Sequence, residues 1–125
     1  MKIYLDDYRP IPEGWEGARN SSEFKALIEK AKSESIEIEE IALDNDLGEN
    51  DGKGREIQGY DLIKWLAENY PEYILGETKL YSHSANTVQR NAIDNYIEFC
   101  RKHPEELMAH REKEYPFGEI EREPR

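Results

Sequence analysis

Three short stretches that read as strands, at residues 2–5, 41–43 and 78–81, most constrain what this chain can fold into. Each stops abruptly at polar residues, and each is followed by apolar residues at helical spacing. After the first run, Phe24, Leu27, Ile28 and Ala31 follow the i, i+3, i+4, i+7 pattern of an amphipathic helix. After the second, Leu62, Ile63, Trp65 and Leu66 mark a helix over residues 60–70, stopped by Pro71. After the third, Val88, Ala92, Ile93, Tyr96, Ile97 and Cys100 mark one over residues 85–103, limited by Pro104. Strand then helix, three times over, predicts an α/β domain with a central, mainly parallel sheet and right-handed crossovers.

The connections read with less regularity. Arg9-Pro10-Ile11-Pro12 and Gly14 cannot continue regular structure, so a loop follows the first strand. Residues 17–19 form a candidate short strand. Asn20 or a following serine caps the first helix, with Glu23 three residues on. The stretch 45–59 carries Gly48, Gly52, Gly54 and Gly59, and so long a connection is either functional or a small hairpin excursion. Ser84 is a capping candidate for the last helix. Beyond Pro104 the chain is charged and broken by Pro116, Gly118 and Pro124, with room for a helix near residues 105–114. The expected organisation is one domain over residues 1–104 and a charged extension over 105–125.

Composition bounds the function. The chain has 125 residues and a net charge of −11, with 37% hydrophobic and 36% charged residues. One core is expected, under a heavily charged surface. The acidity disfavours adhesion to a nucleic-acid backbone, which needs basic surface. It does not disfavour a phosphate site built around a divalent cation, which reverses the local sign. No apolar run approaches the length of a membrane span, and the N-terminus does not read as a signal peptide. Cys100 is the sole cysteine and sits in an apolar helical pattern, so a buried thiol in a cytoplasmic protein is expected.

In open α/β sheets, ligands bind beyond the carboxyl ends of the strands. Here those ends are Asp6-Asp7, Asp44-Asn45-Asp46 and Ser82-His83-Ser84. Asp6, Asp7, Asp44 and Asp46 could surround one Mg²⁺ or Mn²⁺, a hard cation that takes oxygen ligands. An aspartate at a strand end also makes turns and caps, so each alone is weak. The stretch from Asp44 fails the calcium-loop pattern, because Arg55 stands where the closing glutamate belongs. The glycines of 48–59 lack the Gly-Lys-Ser/Thr of a phosphate-binding loop. His83 could donate or accept a proton in phosphate chemistry. Ser84, Asn86 and the amides of the following helix could hold phosphate oxygens, and Arg9 could clamp them. For Arg9 a surface ion pair is equally plausible. His103 and His110 read as surface.

These residues resemble a known pattern. A strand ending in Asp6-Asp7 and a later one ending in Asp44 is similar to receiver domains of response regulators. In that family the acids hold Mg²⁺ and the central aspartate accepts a phosphoryl group. The chain departs from it in lacking a clear lysine at a fifth strand end and in carrying His83-Ser84-Ala85-Asn86 where a single Ser or Thr is expected. A closer resemblance is to the cyclic-phosphate-processing receiver domains. It rests on Leu5-Asp6-Asp7-Tyr8-Arg9 with Pro12 and Gly14-Trp15, on Leu43-Asp44-Asn45-Asp46-Leu47-Gly48, on Gly59-Tyr60-Asp61 with Trp65-Leu66, and on His83 to Asn86. Members often carry His where this chain has Asn45.

The resemblance implies a reduced flavodoxin-like, three-layer receiver fold. It also implies a metal-dependent phosphoesterase acting on a cyclic phosphate, at an RNA end or on a small cyclic nucleotide. Asp6, Asp7 and Asp44 would hold the metal with Asp46 in support, His83 would be the proton-transfer group, and Asp44 could be a nucleophile instead. Two alternatives stand beside it: a phospho-accepting signalling switch, and an acidic interaction module without chemistry.

Overall fold

The computed structural model describes residues 1–107. Its elements are β1 (Lys2–Leu5), β2 (Glu16–Ala18), α1 (Ser21–Ser33), β3 (Glu40–Leu43), β4 (Asp46–Asn50), β5 (Glu56–Gln58), α2 (Gly59–Asn69), α3 (Glu72–Leu75), β6 (Lys79–Ser82) and α4 (Thr87–Lys102). Four strands form a parallel sheet in the order β2-β1-β3-β6. This is the expected α/β, receiver-like architecture, a parallel sheet flanked by helices. The expected short strand at 17–19 is β2, one residue earlier. The expected helix at 105–114 lies mostly outside the described residues, of which 104–107 are helical.

The register explains where the core sits. Ile3, Ile41 and Leu80 lie in one row across the sheet, and Leu5, Leu43 and Ser82 in the next but one. Side chains alternate along a strand, so both rows face the same way. All six residues are buried, and the apolar five join Phe24, Ile28, Leu62, Leu66 and Ile93 from the helices in one contiguous core. The crossovers from β2 to β3 and from β3 to β6 advance in the same direction along the sheet. Right-handed connections therefore put α1 and α2 on the same face.

No described helix joins β1 to β2, since the intervening loop contains Pro10 and Pro12. On the second face, Lys2, Tyr4, Ala42, Glu40 and Tyr81 alternate with the core row. Its cover is made of side chains. Tyr4 meets Trp15 edge-on at 5.8 Å and stacks on His83 at 4.4 Å, Lys2 lies over Trp15, and the Tyr81 hydroxyl donates to Glu40 at 2.7 Å.

Local chemistry sets the element ends. Asn20 Oδ1 accepts from the Glu23 amide at 2.9 Å, the expected cap of α1. Glu23 Oε1 accepts from the Arg19 amide at 2.7 Å. The long connection 45–59 is a hairpin of β4 and β5, held to α1 by Glu49, whose carboxylate accepts from the Ser21 amide and hydroxyl at 2.8 Å each. Sequence reading did not anticipate α3, a single turn that begins directly after Pro71.

Candidate active site

The parallel register that builds the core also gathers the polar strand ends. Leu5 is paired with Leu43 and Leu43 with Ser82, so Asp6, Asp44 and His83 emerge side by side. The Asp44 amide donates to the Leu5 carbonyl and the His83 amide to the Leu43 carbonyl, each at 2.9 Å. Asp6, Asp7 and Asp44 each bring a carboxylate oxygen to a common point, with these atoms all within 4.8 Å of one another. Asp6 and Asp44 are buried, and Asp7 is exposed.

Asp6 is the most constrained of the three. Its side chain is 0% exposed. Oδ1 accepts from the Tyr8 amide at 3.0 Å and the Arg9 amide at 2.8 Å, and Oδ2 accepts from Arg9 Nη1 at 3.0 Å. Burial pushes the carboxyl toward protonation. The two amides and the Arg9 guanidinium outweigh it, so its pKa lies below the ordinary value. Arg9 Nη1 also stands 3.8 Å from Asp44 Oδ2, bridging the two buried acids as their counter-charge. Arg19 ties the turn from outside, its Nη1 donating to the carbonyls of Asp6 at 3.2 Å and Arg9 at 2.6 Å.

The His83 ring lies on the sheet beneath this cluster. Nε2 is 3.1 Å from the Leu5 carbonyl, which can only accept, so Nε2 carries the proton. Nδ1 is then the acceptor, 3.5 Å from Arg9 Nη1 and 3.8 Å from Asp6 Oδ2.

Above the acids opens a cleft of about 260 Å³, lined by Asp7, Arg9, Asp44, Asp46, Ser84 and Asn86 among others. Its far wall is the turn before α4. Ser84 is buried, and its Oγ accepts from the Asn86 amide at 3.2 Å. Gly59 closes the hairpin against the floor. Its amide donates to the Asn45 carbonyl at 2.8 Å, and a Cβ there would stand 2.0 Å from the Asp44 carbonyl oxygen, so only glycine fits.

Residues 1–99 match the family described as the cyclic-phosphate processing receiver domain. The chain belongs to this family. It is therefore a receiver domain linked to cyclic-phosphate processing. No curated protein and no solved structure matches the chain.

The site of this receiver domain gathers some expected residues and sets others apart. Asp6, Asp7 and Asp44 converge. Asp46 lines the same cleft as the first residue of β4, outside that triad, with its Oδ1 accepting from the Gly48 amide at 3.3 Å. Arg9, Ser84 and Asn86 line the cleft. The helix cap falls to Asn86, whose Oδ1 accepts from the Gln89 amide at 3.1 Å, and not to Ser84. His83 is not on the cleft wall. Both of its nitrogens face protein partners and its side chain is 15% exposed.

Sequence reasoning gave Arg19 no part in the site, and named Asn45 and Gly59 in motifs without assigning either a contact. Asn45 is buried, and its Oδ1 accepts from the Tyr60 amide at 2.9 Å, fixing the start of α2 beside the acids. Arg19 had a readable signal: it follows Ala18, which pairs with Leu5, so it lies across from Asp6. No described helix is long and apolar enough to cross a membrane.

Proposed function

We propose that this receiver domain is a metal-dependent phosphoesterase that opens a cyclic phosphate. The observation that carries the reading is the convergence of Asp6, Asp7 and Asp44 under a cleft whose rim holds Arg9, Ser84 and Asn86. Two buried carboxylates and one exposed one, all hard oxygen donors, suit Mg²⁺ or Mn²⁺, which keep part of their water shell. The fit is also electrostatic: the cluster already holds one positive group, the Arg9 guanidinium, against both buried acids. When bound, the metal supplies charge neutralisation for the phosphoryl oxygens.

The remaining work falls to the chain. Among the described residues Arg9 is the cation on the cleft lining, placed to turn from the acids to a phosphate oxygen. The buried Ser84 and the Asn86 side chain border the space a phosphate would fill. With Arg9 drawn onto the phosphate, His83 Nδ1 loses its partner and becomes able to accept a proton, in the tautomer that the Leu5 carbonyl imposes. The reaction is a hydrolysis. Water forms one new P–O bond, one ester P–O bond of the ring breaks, and the water proton ends on the released sugar oxygen. For the receiver-switch alternative, with Asp44 as phospho-acceptor, the described residues put no lysine on the cleft lining.

The test is an RNA oligonucleotide ending in a 2′,3′-cyclic phosphate, incubated with Mn²⁺ and then quenched with chelator for phosphorus NMR. Ring opening by the wild type is expected, abolished by Asp44→Asn and slowed about 10²-fold or more by His83→Ala. No ring opening, together with unchanged melting across Mg²⁺ and Mn²⁺ titrations, overturns the reading.

A further inference from the structure

The acid cleft does not end at α4. A second hollow, of about 220 Å³, is lined by Asn45, Gln58, Tyr60, Val88, Gln89 and Ala92. Gln89 lines both hollows, so they are adjacent compartments with one side chain between them. Small-molecule sites typically enclose ~300–1,000 Å³. Neither compartment reaches that size, and the two together do.

Their chemistry differs. The first is ringed by carboxylates, Arg9 and short polar groups. The second has an apolar wall. Val88 and Ala92 are one turn apart on α4 and so share a face, opposite the half-buried Tyr60 ring. Val88 is 78% exposed in the first turn of a helix. A β-branched residue there gains nothing from packing and is a poor helix former. The fold gives no reason for it. Around this wall stand the amides of Gln58 and Gln89, which can both donate and accept.

We propose that this hollow is the base subsite of the same centre, and that the substrate is a nucleoside cyclic phosphate of mononucleotide size. The inference rests on the phosphoesterase reading for its phosphate half. The cyclic phosphate sits over Asp6, Asp7 and Asp44, the ribose passes Gln89, and the planar base lies against Tyr60, Val88 and Ala92. Bases bind apolar and aromatic surfaces by their faces and amides by their edges. A longer RNA is disfavoured, because a net charge of −11 opposes the approach of further phosphates.

The experiment compares adenosine 2′,3′-cyclic monophosphate with ethylene cyclic phosphate, which has the strained ring and no base, in Mg²⁺. Titration gives the affinity ratio, saturation-transfer NMR reads contact between protein methyls and base protons, and phosphorus NMR reads ring opening. The wild type is expected to prefer the adenosine ligand about tenfold or more and to saturate its base protons. Ala92→Trp, which fills the hollow from an exposed helix position, is expected to collapse that ratio toward one. An RNA of ten nucleotides with the same terminus is expected to bind no tighter than the mononucleotide. Equal affinity for the two small ligands, absent base saturation, a ratio unmoved by Ala92→Trp, or much tighter RNA binding each overturns the subsite. Ring opening of both ligands without preference removes the subsite and keeps the phosphoesterase. Base contact without ring opening of either does the reverse.

Discussion

At the carboxyl edge of the sheet, Asp6 and Asp44 are buried and turned toward one point with Asp7. At the opposite edge, Glu37, Glu39, Glu72 and Glu77 line a larger cleft of about 500 Å³, and all four are exposed. Their charges are dispersed into solvent or spent on simple surface pairs, such as Lys32 with Glu72 and the N-terminal ammonium with Glu39. Neither the size of a cleft nor its number of acids therefore marks the centre. What separates the edges is desolvation with convergence: carboxylates taken out of water need amides, a guanidinium or a metal around them, whereas exposed ones need nothing.

The sharpest way to break this comparison is to delete one acid at each edge. Asp6→Ala leaves two backbone amides and a guanidinium without their acceptor and is expected to destabilise the fold by about 3 kcal/mol. Glu39→Ala removes a side chain that is 60% exposed and should change stability by no more than ~0.5 kcal/mol. Urea denaturation in chelator measures both. Equal midpoints would mean that the buried acid is held no more tightly than the surface one.

The same contrast explains what the sequence made legible. The three strands, the helix stripes around Phe24, Leu66 and Ile97, and the Asn20 cap rest on short-range periodicity and hydrogen bonding, which a linear reading captures. The triad at Asp6, Asp7 and Asp44 was legible because parallel strands bring their carboxyl ends together. The single-turn α3 was not, since four residues carry no period. The place of the His83 ring was not either. Its neighbours Tyr4 and Leu5 lie far away in sequence, and only the register β1-β3-β6 brings them beneath it. Gly59 was legible as part of a motif, but its contact with the Asp44 carbonyl was not, because only the folded hairpin brings the two together.

Arg9 sharpens the comparison from the side of the cation. Its Nη1 stands 3.0 Å from Asp6 Oδ2 and 3.8 Å from Asp44 Oδ2, oxygens of two of the three converging acids. A resident positive charge and an incoming one compete for the same field. Arg9→Gln is therefore expected to bind Mg²⁺ about tenfold more tightly while losing ring opening, because the phosphate clamp is gone. Lys32→Gln, at the other edge, should leave Mg²⁺ affinity unchanged. Calorimetric titration reads the affinity. An Arg9→Gln affinity that falls or stays level would show that the guanidinium does not compete for the acids.

The smallest expected effect belongs to a titration on the sheet face without a helix, reaching toward the amino edge. Burial, then the hydrogen bond to Glu40 and the charge of that carboxylate, push the Tyr81 phenol up to about 12. The unfolded chain releases this proton near pH 10, so between about pH 10 and 12 the folded state binds more protons than the unfolded one. Stability from this group is complete below pH 10 and is lost as pH rises through that window. Tyr81→Phe deletes the phenol, so its unfolding free energy should fall less steeply there, by roughly 1 kcal/mol across the window once partial solvent screening of this half-buried group is allowed for. Paired urea melts at pH 9 and pH 11.5 give the difference. Parallel pH dependences of wild type and variant would show that Tyr81 is free to ionise.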